Sequence, residues 1–198
     1  MRLFHATASP FVRKVLIVLH ETGQLDDVEL ETVVTTPLTP ADGLKPANPM
    51  SKIPALERPD GATLYDSRVI CEFLNERAGA TLYARGWESK VLEATGDGIN
   101  DSAVLMSYEK RLRPEGQIWA DWLQAQSSKI LDGCAALNTR WVSHLKGPMD
   151  IGQISVACAL EYVDFRHPEV KWRNGNDQLA DWLAQFSERD SMIATKPA

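Results

Sequence analysis

The sequence lacks the features that mark a membrane span, a disulfide framework or a nucleic-acid surface. No stretch is apolar for long enough to cross a bilayer, and Met1-Arg2-Leu3-Phe4-His5 runs into small and polar residues rather than the apolar centre of a signal peptide. A cytoplasmic protein with no membrane attachment is therefore expected. Cysteine is scarce: Cys71, Cys134 and Cys158 are odd in number, widely spaced and set among apolar residues. They form no C-x-x-C pair, which excludes a dithiol redox centre and a zinc ribbon and suits reduced thiols in a core. His5, His20, His144 and His167 have neither metal-ligand spacing nor a partnered nucleophile, so no metal centre and no hydrolytic triad are expected. An excess of basic residues is missing too. The 21 Lys and Arg against 27 Asp and Glu leave a net charge of -6, which disfavours a non-specific hold on nucleic acid or an anionic membrane.

What is present is ordinary globular material: 198 residues, 44% hydrophobic and 24% charged, enough for one large domain or two small ones. Leu3-Phe4-His5 reads as a short strand. Ser9-Pro10 then starts a helix, with Ser9 at the N-cap and Pro10 where its missing N–H does no harm. Val12, Val15, Leu16 and Leu19 form that helix's apolar face, and Gly23 ends it. Val28, Leu30 and Thr32 alternate with acidic residues as a second strand, giving a βαβ start. Thr36 to Pro46 is loop or broken helix. Ile53 to Tyr65 reads as a hairpin turning at Pro59-Asp60-Gly61, and Asp66-Ser67 opens a helix with Val69, Ile70, Phe73 and Leu74 on its apolar face, ending at Gly79.

Within this order, Asn48-Pro49-Met50-Ser51-Lys52-Ile53-Pro54-Ala55-Leu56 stands out, because it puts a proline inside the start of an apolar β-like run. Two conformations are open. A trans proline would simply begin an edge strand. A cis Ile53–Pro54 bond would turn the chain sharply and leave the Ile53 N–H and C=O facing outward, available to an extended peptide.

After Gly79 the strand pattern disappears. Residues 80–88 read as a linker, and 89–198 as helical throughout. Ser89 to Leu112 is one long helix, softened at Gly96 and Gly98 and broken at Arg113-Pro114. Glu115 to Cys134 continues with Ile118, Trp119, Trp122, Leu123 and Ile130 as its buried stripe. Asp150-Ile151-Gly152-Gln153 resembles a capping box before an apolar helix, and Asp177 to Glu188 is a last amphipathic helix carrying Leu179, Trp182, Leu183 and Phe186.

The order βαβ, loop, ββα is the thioredoxin arrangement. Ser9-Pro10-Phe11-Val12-Arg13-Lys14-Val15, then Asn48-Pro49 to Lys52-Ile53-Pro54-Ala55-Leu56, then Asp66-Ser67-Arg68-Val69-Ile70, resemble the N-terminal domain of the cytosolic glutathione S-transferases in type, order and spacing. The capping box and the tail Ser191-Met192-Ile193-Ala194-Thr195-Lys196-Pro197 extend the resemblance over the chain, although the family more often has aspartate at Gln153. The resemblance implies an α/β plus all-α protein. A thioredoxin-like glutathione-binding domain over 1–79 and a linker over 80–88 would precede a helical-bundle domain over 89–198.

The resemblance also implies roles. Ser9 would stabilise the glutathione thiolate at a helix N-terminus, with Thr7 as fallback, although on the residues alone Ser9 reads first as an N-cap. A hydrogen bond to a charged group would lower a bound thiol's pKa by about one to two units. The family's tyrosine-activated and cysteine types are disfavoured, because no tyrosine precedes Tyr65 and no cysteine precedes Cys71. Ile53 would pair through its backbone with the cysteinyl residue of glutathione. Lys52, or less readily Lys45, would meet the glycyl carboxylate, and Asp66 and Ser67 would hold the γ-glutamyl ammonium and carboxylate. Glutamate is commoner than aspartate at position 66. Asn100 and Asp101 lie where some members reach across a dimer, and Ala8, Phe11, Ser107, Tyr108 and Arg111 lie where the family lines its electrophile pocket.

The expectation is a homodimeric serine-type enzyme that conjugates glutathione, as co-substrate, to a small electrophile without a metal. The alternatives are a non-catalytic glutathione-fold regulator or interaction protein, and a glutathione-dependent isomerase or dehalogenase.

Overall fold

A computed structural model describes residues 1–197. The chain forms two compact units. The first is Met1–Ala84 together with the C-terminal residues from Asp190, and the second is Arg85–Arg189. The division falls between Ala84 and Arg85. The segment from Asp190, expected with the helical domain, clusters instead with the first unit, where it is bonded to the first helix.

In the first unit, four short strands, β1 (Arg2–His5), β2 (Glu29–Thr32), β3 (Ala55–Arg58) and β4 (Gly61–Leu64), form one mixed sheet in the order β2-β1-β3-β4. β1 and β2 are parallel, while β3 runs antiparallel to both β1 and β4. The helices are α1 (Pro10–Glu21), the single turn α2 (Leu44–Ala47) and α3 (Ser67–Arg77). This is the expected thioredoxin-like arrangement. Phe4, Val33, Leu44, Ala47 and Ala55 pack as one cluster, with Ala41 and Ile53 against it.

Helix α1 buries Val12, Val15, Ile17, Val18 and Leu19, so its apolar surface is wider than the expected stripe and Leu16 sits at its margin. In α3 the buried set is Ser67, Ile70, Cys71, Leu74 and Asn75. Val69, expected inside, is exposed, because the i, i+3, i+4, i+7 row that begins at the buried Ser67 passes beside it.

The second unit is helical: α4 (Trp87–Leu112), α5 (Ala120–Ala136), α6 (Val142–Leu145), α7 (Ile151–Arg166) and α8 (Asp177–Phe186), with a π-helical stretch at Leu137–Trp141 joining α5 to α6. The short α9 (Asp190–Ala194) belongs to the first unit. α7 is buried on nearly every side and opens on a complete capping box. Gln153 N–H donates to Asp150 Oδ1 at 3.1 Å, and Asp150 N–H donates to Gln153 Oε1 at 2.6 Å. Gln153 Nε2 also donates to the Leu145 carbonyl at 2.7 Å, a bond that an ionised aspartate could not supply.

The stripe expected on α5 is corrected. Ile118, Trp119 and Trp122 are exposed, and the buried residues are Gln126, Ile130 and Cys134. The helix starts only at Ala120, because the Glu109 carboxylate accepts from both Arg113 Nε, at 2.9 Å, and the Trp119 N–H, at 3.0 Å, and so holds the preceding loop. That start sets the phase of the buried row.

Candidate functional site

Strand register brings the candidate residues to one end of the sheet. Phe4 pairs with Ala55, so the chain leaving β1 and the chain entering β3 share an end. Leu56 pairs with Leu64, so β4 leaves at that end as well. The first of these exits leads through Ala6, Thr7 and Ala8 to the start of α1, and the last leads through Tyr65 to the start of α3. Two helix N-termini, Ser9 and Asp66, thus open beside the loop that carries Lys52 and Ile53. Free N–H groups at helix starts favour anions, and α1 has no acidic residue at its cap or in its first turn to neutralise them, whereas α3 carries the Asp66 carboxylate at its cap.

Ser9 caps α1 in an extended backbone conformation. Its half-buried hydroxyl accepts from the Val12 N–H at 3.3 Å, and its own N–H donates to the Ala6 carbonyl at 3.0 Å. A hydroxyl has one proton and two lone pairs, so accepting from Val12 leaves the proton to be donated elsewhere. Capping and anion stabilisation therefore do not compete for Ser9. Thr7 is exposed in the same loop.

Asp66 caps α3 through Oδ1, which accepts from the Arg68 N–H at 3.0 Å, and its side chain is exposed. Ser67, the first residue of α3, is 2% exposed. A carboxylate and a hydroxyl at one helix start offer an acceptor for an ammonium beside donors for a carboxylate.

The Ile53–Pro54 peptide is cis. The β1–β3 ladder ends at Phe4 and Ala55, so Ile53 lies beyond it, half-buried. The preceding loop is held by Asn48, a residue whose role the sequence did not disclose. The Asn48 amide donates to the Lys52 carbonyl at 2.8 Å and accepts from the Met50 N–H at 3.0 Å, with the residue 3% exposed. The signal was an asparagine opening an Asn-Pro turn, which the hydrophobic pattern outweighed. Lys52 and Lys45 are both exposed.

Other candidates lie in the second unit. Asn100, which the resemblance placed facing a dimer partner, is instead only 1% exposed, whereas Asp101 and Arg111 are exposed. Ser107 is buried and hydrogen-bonded to His167 Nε2 at 3.0 Å. Tyr108 is half-buried, and that burial pushes its phenol above the ordinary value. Among the described residues, no group of three His, Cys, Asp or Glu is arranged to hold a metal, and no helix is long and apolar enough to cross a membrane.

Known proteins match this chain over its whole length. The profile described as glutathione S-transferase, N-terminal domain, matches residues 8–77, and that described as glutathione S-transferase, C-terminal domain, matches residues 120–185. The uncharacterized GST-like protein YibF of Escherichia coli (strain K12) is 31% identical over 204 positions, spanning 100% of this chain and 98% of its own. A glutathione transferase family member from Pseudomonas fluorescens Pf-5, solved with bound glutathione, is 42% identical with a TM-score of 0.93 over 100% of this chain and 98% of its own. A glutathione S-transferase from Methylobacterium radiotolerans, in complex with glutathione sulfonate, is 30% identical with a TM-score of 0.81 over 99% and 94%. The sheet order, the paired helix starts and these matches over the whole chain have one common account: the chain belongs to the glutathione S-transferase family.

Proposed function

We propose that this protein is a serine-type glutathione transferase that holds the glutathione thiol as thiolate and conjugates it to a small electrophile. The observation that carries the reading is the Ser9 hydroxyl. It sits half-buried at the start of α1, accepts from Val12 and keeps its proton to donate. A sulfur placed there receives that hydrogen bond and the partial positive charge of the helix end. Together these lower the thiol pKa by about one to two units and raise the thiolate fraction at neutral pH accordingly. The thiol proton leaves to solvent. The thiolate lone pair forms the new S–C bond, and the electrophile's leaving group departs with its electron pair, or an activated alkene takes up a proton.

Glutathione carries one ammonium and two carboxylates. Asp66 Oδ2 would take the ammonium, the Ser67 N–H and hydroxyl the γ-glutamyl carboxylate, the Ile53 backbone the cysteinyl residue, and Lys52 the glycyl carboxylate. The bound glutathione in the 42% identical Pseudomonas structure supports the ligand class. A cytoplasmic homodimer that needs no metal completes the reading.

Titration calorimetry with glutathione, followed by ultraviolet titration of the bound thiol, tests it. The expected result is measurable binding, with Ser9→Ala still binding but showing a bound-thiol pKa raised by about one unit or more. Absence of heat at millimolar glutathione would leave only a glutathione-fold scaffold. An unchanged thiol pKa in the variant would remove Ser9 from its role.

A further inference from the structure

We propose that the C-terminal segment from Asp190 is a positioning strap for the Ser9 end of α1, with Arg13 as its clasp. The proposal rests on the reading of Ser9 given above. The Arg13 N–H donates to the Ser9 carbonyl at 3.0 Å, so Arg13 lies one helical turn beyond the cap. Its guanidinium is buried, with the residue 2% exposed. Nη2 donates to the Met192 carbonyl at 3.1 Å, and Nε donates to Thr195 Oγ1 at 3.4 Å.

A second tie holds the other end of the same helix. Ser191 Oγ donates to Glu21 Oε1 at 2.6 Å, and Glu21 is the last residue of α1. Thr195 Oγ1 also donates to the Ser191 carbonyl at 2.7 Å, which makes the two ties parts of one folded segment. The strap therefore grips α1 near its capping turn and at its end, and fixes both its rotation and its position along its axis.

The choice of residue is informative. A cation near the positive end of a helix is unfavourable, and burying a guanidinium costs several kcal/mol in the absence of well-placed acceptors. What the arginine supplies is a rigid fork that reaches two acceptors of the tail at once, which a lysine cannot copy. A hydrogen bond to a thiolate depends on geometry held to about 0.5 Å and 10–20°, so a small rotation of the first turn of α1 would misdirect the Ser9 O–H. Arg13 is a positioning residue, acting on the sulfur only through Ser9.

The test uses full-length protein and reads the pKa of the thiol in bound glutathione, together with KM for glutathione and the thermal midpoint. Thr195→Val combined with Ser191→Ala loosens the strap without touching α1. It is expected to raise the bound-thiol pKa by about half a unit or more while KM changes less than about twofold, and Thr195→Ser should keep the wild-type value. Arg13→Lys, which keeps the charge and loses the fork, should raise it as well. A lower thermal midpoint with an unchanged thiol pKa in the Thr195 and Ser191 variant would reduce the strap to a stabilising contact and overturn the proposal. A wild-type thiol pKa in a folded Arg13→Lys protein would overturn the clasp. Ser9→Ala in parallel separates the two readings: if it too leaves the thiol pKa unchanged, the assignment of Ser9 fails and the strap goes with it. If Ser9→Ala raises the pKa and the strap variants do not, only the strap fails.

Discussion

A β-carbon on Gly96 would stand 2.6 Å from the carbonyl carbon of Ser155, so α4 and α7 cross at a distance that only glycine permits there. The contact is backbone to side chain and cannot be relieved by a rotamer change. Ser155 is itself committed, its single hydroxyl proton shared between the Glu93 carbonyl at 3.0 Å and Asp97 Oδ1 at 3.1 Å. Gly152 on α7 repeats the feature, since a β-carbon there would meet Leu92 Cβ at 2.5 Å. Gly96→Ala is expected to destabilise the protein by about 1–3 kcal/mol despite alanine's better helix propensity. Gly98, two residues on, faces open space, and Gly98→Ala should stabilise by up to about 1 kcal/mol. Urea denaturation of the two variants should give midpoint shifts of opposite sign.

Asp150 is fully buried and has a partner for each oxygen. Oδ1 caps α7, while Oδ2 accepts from Ser89 Oγ at 2.8 Å and stands 2.6 Å from His144 Nε2. Asp150→Ala removes a cap worth about 0.5–2 kcal/mol and strands a hydroxyl and an imidazole at about 1–3 kcal/mol each, so a loss of at least about 2.5 kcal/mol is expected. Asp150→Asn keeps an acceptor for the cap and should cost less. Denaturant titration of both variants checks the order.

The parts of the fold set by local rules were legible in the sequence. Ser9-Pro10 starts a helix, Asp150 to Gln153 forms a capping box, and Pro59-Asp60 turns a hairpin, because each is decided by the chemistry of a few adjacent residues. What depended on distant partners was not. Gly96 read as a soft point in a helix because nothing nearby in sequence announces Ser155. Trp119 and Trp122 read as core because their hydrophobicity is local, while the Glu109 carboxylate that sets where α5 begins lies ten residues before Trp119. The candidate site divides in the same way. Its helix starts were readable, but the Asn48 clamp and the Arg13 clasp bond to carbonyls, which leave no mark in a sequence.

Ser51 is the only non-glycine residue with positive φ among the described residues, at 52°. That conformation costs an L-residue about 1–2 kcal/mol, against about 0.5–1 kcal/mol of extra chain entropy lost by glycine. Ser51→Gly should therefore stabilise by up to about 1 kcal/mol. Since the Asn48 clamp spans this residue, KM for glutathione should stay within about twofold of wild type. A fall in the thermal midpoint would show that the serine side chain contributes something the backbone does not.

The three cysteines are buried and none is joined in a disulfide, and burial pushes the Cys134 thiol up to about 12. None should react with a disulfide reagent in the native protein, and all three should react once it is unfolded. A fast-reacting thiol in the folded state would contradict the packing around it.

His167 sits among groups that look like a hydrolytic triad and do not form one. Nε2 is 2.8 Å from the Ala103 carbonyl, which can only accept, so Nε2 carries the proton and cannot take one from Ser107, whose hydroxyl itself donates to the same carbonyl at 3.0 Å. Nδ1 faces Lys110 Nζ at 3.4 Å and Glu169 Oε1 at 3.5 Å. Burial holds the His167 imidazole below its ordinary value of 6.5, and burial does the same to His5. A depressed histidine costs the folded state nothing above the unfolded value. As pH falls below it, the unfolded chain binds protons first and stability drops until the folded value is reached. Glu109 and Glu169 are also depressed, from 4.5, so their contribution is complete above that value and is lost only below it. The window between the two belongs to the histidines. Urea midpoints should be flat above about pH 7 and should fall toward about pH 5 with a slope of at most about 1.4 kcal/mol per pH unit for each histidine. His167→Gln keeps an amide donor for Ala103 and should flatten that slope while leaving the decline below pH 4.5 in place. An unchanged slope in His167→Gln would assign the acid sensitivity of this window to His5.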